Sequence, residues 1–246
     1  MFSFLKKHPF AVQAFFESST VLTFALPKEK IASMIPECLE LDTFEGRYAF
    51  IAVALVKTKK LRPKGFPEFI GSDFFLIGYR IFVKYITNTN RRLRGLYILK
   101  SETDKRRMQF LGSIFTSYNY SLANITQKYQ EDRAEIRSDL SGFRIITSDS
   151  GENIPLPETS PFKDWKEARK FAGPMPFTFT YDPQKRQVLL IEGVRQNWTP
   201  EPIRILEYNI PFLKEKGFEE AILANSFIIR NVPYYWKKGK VEFWKP

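Results

Sequence analysis

Six charged side chains stand inside stretches otherwise made of β-branched and aromatic residues: Arg80, Lys100, Glu192, Arg195, Arg204 and Arg230. Burying a charge costs several kcal/mol unless it is paired, so each of these must face water, find a partner or meet a ligand. Edge exposure or a structural ion pair is one reading of each, and ligand contact is the other. Lys100 invites the sharpest chemistry, because a lysine desolvated near another cation has a depressed pKa and can form a Schiff base with a carbonyl substrate. Its place between a strand end and the polar Ser101 also suits an ordinary surface lysine. Glu192 shares its face with Val188, Leu190 and Val194, and Arg195 at that strand's end could reach a carboxylate.

Other chemistries fall on inventory. His8 is the only histidine, so Ser-His-Asp or Cys-His catalysis would depend on one residue of an N-terminal arm. Multi-histidine and cysteine-rich metal sites are excluded, and no metal is expected. Neither a Gly-x-Gly-x-x-Gly nor a Gly-x-x-x-x-Gly-Lys-Ser/Thr motif occurs, which disfavours those nucleotide enzymes, and no cofactor is expected. Cys38 is the single cysteine and reads as a small buried side chain.

These residues must be positioned by strands. Residues 73–87 form the longest strand candidate: Phe75, Ile77, Tyr79, Ile81, Val83 and Tyr85 take one face, while Phe74, Leu76, Arg80, Phe82 and Lys84 take the other. Residues 93–100 return as the other half of a hairpin, with Lys100 on the face of Leu96 and Ile98. A helix capped by Ser101 or Thr103 follows, lined by Met108, Leu111 and Phe115. Strands are further expected over 21–26, 47–56, 177–181, 187–195, 202–210 and 221–230, with a hairpin over 130–148 turning at Ser141-Gly142. The other helices are a short one after Pro27, ended by Pro36, and one with Ser160 as N-cap and Pro161 at its first position, closed by Gly173-Pro174. Residues 1–16 read as an arm or short helix, and 57–72, rich in Lys, Pro and Gly, as a loop long enough to act as a lid.

With 24 Phe, 11 Tyr and 43% hydrophobic residues, the chain is a packed, mainly β protein of α+β type. At 246 residues it can bury roughly 70–75% of its unfolded surface. No composition shift or repeat divides it, so one domain over 1–246 is expected. The longest apolar run, 48–56, falls short of the ~20 residues of a membrane-spanning helix, and no leader is recognised, so a cytoplasmic protein with no membrane partner is expected. The net charge of +11 raises nucleic acid as a partner. The basic clusters are dispersed and no nucleic-acid motif accompanies them, so nucleic acid or an acidic partner is the alternative reading. A homo-oligomer is left open.

One frame of spacing goes further. Tyr79-Arg80, Gly112 and Tyr118-Asn119-Tyr120-Ser121-Leu122-Ala123 resemble the acetoacetate-decarboxylase-like superfamily, in which a glycine is followed six residues on by Tyr-Pro-Lys-Lys-Leu-Ala. The chain is also identified as a member of the uncharacterised bacterial DUF2071 (YqjF-like) family. That resemblance runs through His8-Pro9-Phe10, Gly95-Leu96-Tyr97, Lys100-Ser101-Glu102-Thr103-Asp104, Gly173-Pro174-Met175-Pro176-Phe177 and Glu192-Gly193-Val194-Arg195-Gln196-Asn197-Trp198. It implies an antiparallel β-barrel or sandwich with two or three short peripheral helices, and a central cavity for a small organic acid or carbonyl metabolite. Tyr120 and Ser121 stand where the decarboxylase has its adjacent lysines, and Arg80 where it has a glutamate. The resemblance therefore implies a pocket without that lysine pair, with Arg80, Tyr118 and Tyr120 as candidate ligand contacts. The charges standing within strands add Glu192 and Arg195 as candidate ligand contacts and Lys100 as the candidate nucleophile.

Overall fold

The computed structural model describes residues 5–149, 153–196 and 198–245. Its strands are, in chain order, β1 (Val12–Pro27), β2 (Glu40–Leu41), β3 (Tyr48–Pro63), β4 (Ser72–Ile86), β5 (Arg92–Thr103), β6 (Tyr120–Leu122), β7 (Ile125–Gln130), β8 (Arg133–Ser138), β9 (Phe143–Ser148), β10 (Phe177–Asp182), β11 (Gln187–Arg195), β12 (Glu201–Pro202), β13 (Arg204–Asn209), β14 (Ile222–Trp236) and β15 (Lys240–Phe243). The helices are α1 (Lys28–Ile31), α2 (Arg106–Phe115), α3 (Trp165–Ala172) and α4 (Pro211–Glu215).

Hydrogen-bonded neighbours run β14-β1-β3-β4-β5-β10-β11, and β11 pairs back onto β14 through Gly193↔Trp236, Val194↔Tyr235 and Arg195↔Tyr234. The main sheet thus returns on itself as a ring of seven strands. Alternation gives the ring two apolar faces. Outward, Leu22, Phe24, Ile51, Val53, Ile77 and Tyr79 are buried together with Ile136, Phe143 and Ile145 of the second sheet, whose four strands run β13-β9-β8-β7. Inward, Phe50, Ala52 and Phe82 pack with Phe162, Ala168 and Ala172, so α3 and the turn before it fill one end of the ring. The alternation of residues 73–87 is the one expected from the sequence.

Two connections at β5 are parallel rather than antiparallel. Phe177–Phe179 of β10 pair with Gly95–Tyr97, and β6 pairs in parallel with Ser101, Glu102 and Thr103 across the α2 crossover. Several local expectations are also corrected. The arm becomes extended by Val12, because β1 pairs with β14 from Val12 to Ala25 and with β3 from Val12 to Pro27; its polar residues Gln13, Glu17, Ser18 and Ser19 conceal a strand in a sequence window. The lysine-rich lid is mostly strand: β3 continues to Pro63, leaving only residues 64–71 as a loop with a 3-10 turn at Glu68–Ile70. Glu17, Asp73 and Glu68 pair with Lys57, Lys59 and Lys60 there. Neither helix cap is the expected one. β5 runs through Thr103, and Asp104 accepts from the Phe75 N–H at 2.7 Å instead of opening α2. The N-cap of α3 is Asp164, which accepts from Glu167 N–H at 2.8 Å, while Ser160 serves the preceding turn. The connection at 150–152 lies outside the described residues.

Candidate functional site

The ring encloses a cavity of about 440 Å³, within the size range of ligand pockets. β4 contributes Phe74, Leu76, Arg80 and Phe82 to its wall, and β3 contributes Ala52, Ala54 and Val56. Lining side chains also come from α2, the 118–120 segment, β11 and β14. The charges facing the cavity are of one sign. Arg62, Arg80, Arg107 and Arg195 line it with His8, and among the described residues no Asp, Glu or Lys does.

Arg80 has no acidic partner among the described residues. Its partner across β3 is Ala52, which leaves the guanidinium facing inward. It makes no ion pair among the described residues, and its buried Nε has no hydrogen-bond partner. Burial lowers its pKa from the ordinary arginine value, against the opposing influence of the phenols of Tyr234, Tyr120 and Tyr118. A guanidinium stays protonated under such a shift, so the cavity holds a cation.

The three tyrosines are placed by close packing. The Tyr120 ring lies against Gly112 of α2, where a Cβ would come within 2.4 Å of it, and the Tyr234 hydroxyl lies on Gly193, where a Cβ would come within 1.8 Å. Any larger residue at either glycine would displace the aromatic group. Tyr118 and Tyr120 have ring centroids 6.5 Å apart, and Phe16 stacks on Tyr234 at 4.6 Å. Burial raises all three phenol pKa values, that of Tyr120 to about 12, so each remains an O–H donor at neutral pH. Arg195 is partly committed: it donates to the carbonyls of Pro174 at 2.5 Å and Met175 at 3.5 Å, and covers the Trp198 ring at 4.7 Å. Its Nε is unpartnered like that of Arg80.

Arg80, Tyr118, Tyr120 and Arg195 thus converge on one cavity, and Lys100 and Glu192 lie outside it. A bulge accounts for Lys100. The β4–β5 register pairs Tyr79 with Lys100 and then Arg80 with Ile98, so Leu99 is an extra residue. A period-2 pattern reverses across such an insertion. Leu96, Ile98 and Ser101 line the cavity, whereas Lys100 turns outward and holds the buried Glu102 at 2.6 Å. On β11, Ile191 and Arg195 line the cavity, while Glu192 pairs with Lys237 at 2.8 Å on the surface. Arg230 pairs with Asp149 and Glu201, and Arg204 is exposed on β13. Cys38 is buried, its thiol pKa pushed up to about 12 by that burial.

Sequence reasoning missed Tyr234, His8, Arg62 and Arg107. For Tyr234 the available signal was its aromatic strand paired with Gly193, a pairing across some forty residues that only the ring closure creates. Asn197 of the Glu192–Trp198 motif lies outside the described residues. Among the described residues no group of three His, Cys, Asp or Glu could hold a metal ion, and no helix is long and apolar enough to cross a membrane.

The fold is shared with solved structures of acetoacetate-decarboxylase-like proteins. The chain superposes on the acetoacetate decarboxylase of Legionella pneumophila with a TM-score of 0.59 at 11% identity, covering 94% of this chain and 86% of that one. An acetoacetate decarboxylase-like enzyme from Sphingomonas wittichii RW1 gives 0.61 at 9% identity, covering 96% and 94%. The enduracididine biosynthesis enzyme MppR, complexed with pyruvate, gives 0.56 at 10% identity, covering 93% and 90%. Among curated proteins no sequence match is found. The chain itself belongs to DUF2071, a family of uncharacterised conserved proteins, whose model matches residues 14–238.

Proposed function

We propose that the protein binds a small organic acid in its central cavity, with Arg80 as counter-ion to the carboxylate, Tyr118 and Tyr120 as hydroxyl donors and Arg195 as a second cation. One observation supports this reading: the charged side chains described around the cavity are all cationic, and Arg80 has no acidic partner among the described residues and an unpartnered Nε. A buried cation without a counter-charge is costly, and a bound carboxylate relieves that cost while satisfying the open guanidinium donors. A fold neighbour complexed with pyruvate holds a ligand of the same charge class. With no lysine among the described lining residues, the reading is one of anion binding, without amine chemistry at this cavity.

Thermal denaturation with organic acids, matched alcohols and matched amines tests it. A ligand at a hundred times its Kd stabilises by about 2.7 kcal/mol, worth about 5–11 °C in a chain of this size. Acids alone should give that shift. Arg80→Gln should weaken acid binding roughly 10- to 100-fold, the value of hydrogen bonds to a charged group. Tyr120→Phe should weaken it less. If acids and amines stabilise alike, or Arg80→Gln responds as the unaltered protein does, the cavity is not a carboxylate site.

A further inference from the structure

The cavity is much larger than the group its cations would neutralise. At about 30 Å³ per water-sized unit, 440 Å³ accommodates about fifteen such units, whereas a three-carbon keto acid has six non-hydrogen atoms. Arg80 lies among the phenols of Tyr118, Tyr120 and Tyr234, while most of the remaining wall is hydrocarbon, including Leu76 and Phe74 of β4, Val56 and Leu61 of β3, and Met108 and Leu111 of α2. From Arg80 to Phe74 is six strand residues, about 20 Å. Beyond Phe74 the lining reaches Ile70, Phe10 and Phe115. Phe10 packs edge-on against Phe115 with centroids 5.6 Å apart and remains 40% exposed, and Phe69, beside Ile70, is 87% exposed. The far end of the cavity is therefore mainly apolar, with Arg62, Arg107, Thr58 and Ser72 among its lining, and a mainly apolar wall favours hydrocarbon over water.

We infer that the ligand is an amphipathic monocarboxylate, its carboxylate at Arg80 and its hydrocarbon chain lying along Leu76 and Phe74 towards Phe10 and Phe115. This rests on the proposed role of Arg80 as the carboxylate's counter-ion, and adds to it the chemistry of the remainder of the molecule. Arg107, exposed beside Met108 in the cavity lining, supplies positive potential on the approach of an anion, whereas Arg62 is paired with Glu68.

Calorimetric titration with straight-chain alkanoates from three to fourteen carbons, each below its micellar concentration, tests the inference, with alkanols and alkylamines of equal length as controls. Each added methylene should lower Kd about fourfold, from about 0.8 kcal/mol per buried CH₂, until the cavity is filled. Leu111→Trp, which adds bulk to the hydrocarbon wall of the cavity, should move the optimum to shorter chains, and an unchanged optimum would overturn the placement of the chain. If Kd is independent of chain length while Arg80→Gln still weakens every acid, the chain inference falls and the carboxylate reading stands. If alkanols and alkylamines follow the same chain-length slope and Arg80→Gln changes nothing, the carboxylate reading falls. Absence of binding throughout the series overturns both.

Discussion

Replacing Arg80 with methionine should make the ligand-free protein more stable. The guanidinium faces a cavity with no described acidic side chain, and its Nε lacks a hydrogen bond. An uncompensated buried ion costs several kcal/mol, and exchange of buried charges for apolar groups of similar volume is neutral to stabilising by about 1–4 kcal/mol. Taking the middle of that range, the gain should be about 2 kcal/mol. In a chain of 246 residues that corresponds to about 4–8 °C in Tm. Methionine suits the test because it is unbranched and can fill the space left beside the apolar walls. The assay is urea and thermal denaturation of both proteins after removal of any bound molecule by denaturation and refolding, with equal m-values confirming comparable unfolding. A functional site kept at the expense of stability gives a gain in stability together with loss of the acid-induced shift. A loss of 1 kcal/mol or more in Arg80→Met would refute the reasoning, since it would mean that Arg80 is a structural residue whose interactions hold the ring.

Gly112→Ala puts a Cβ within 2.4 Å of the Tyr120 ring; the overpacking should cost about 1–3 kcal/mol, less about 1 kcal/mol of gained helix propensity, and should displace Tyr120 so that acid binding weakens. A variant with unchanged acid affinity would remove Tyr120 from the site. Lys100→Met should leave acid binding intact but destabilise by about 1–3 kcal/mol, because Glu102, 2% exposed, would lose its partner; borohydride reduction in the presence of β-keto acids should give no adduct at Lys100, and an adduct there would overturn its structural assignment. His8 is buried with an unpartnered Nδ1, and burial lowers its pKa from 6.5 against the opposing hydrogen bond to the Lys237 backbone. A depressed pKa in a base means the folded state resists the proton, so its contribution to stability is complete above about pH 6.5 and falls away as pH drops below that value. Since His8 is the only histidine, its NMR titration midpoint should fall below 6.5 without assignment ambiguity, and a midpoint at or above 6.5 would contradict its burial.

The parts of this fold that are local in sequence were legible there. Strict alternation over residues 73–87 assigned Phe74, Leu76, Arg80 and Phe82 to one face because a strand has a period of two, and nothing interrupts β4 between them. The same rule failed one strand later, where Leu99 bulges and sends Lys100 outward; an inserted residue leaves no compositional trace. β1 was cut short to residues 21–26 because the polar Glu17, Ser18 and Ser19 interrupt its apolar pattern when the two flanking partners are unseen. The asymmetry of charge around the cavity was out of reach for the same reason. It depends on bringing together Arg62, Arg80, Arg107 and Arg195 from β3, β4, α2 and β11, and on the closure that places Tyr234 over Gly193.

The most direct test is a crystal structure with an alkanoate carrying bromine at its chain end. The carboxylate should lie within about 3 Å of the Arg80 guanidinium, with the anomalous bromine peak among Phe74, Met108 and Phe115. A bromine peak beside Arg80, with the carboxylate at the open end, or a ligand bound outside the ring altogether, would contradict the account.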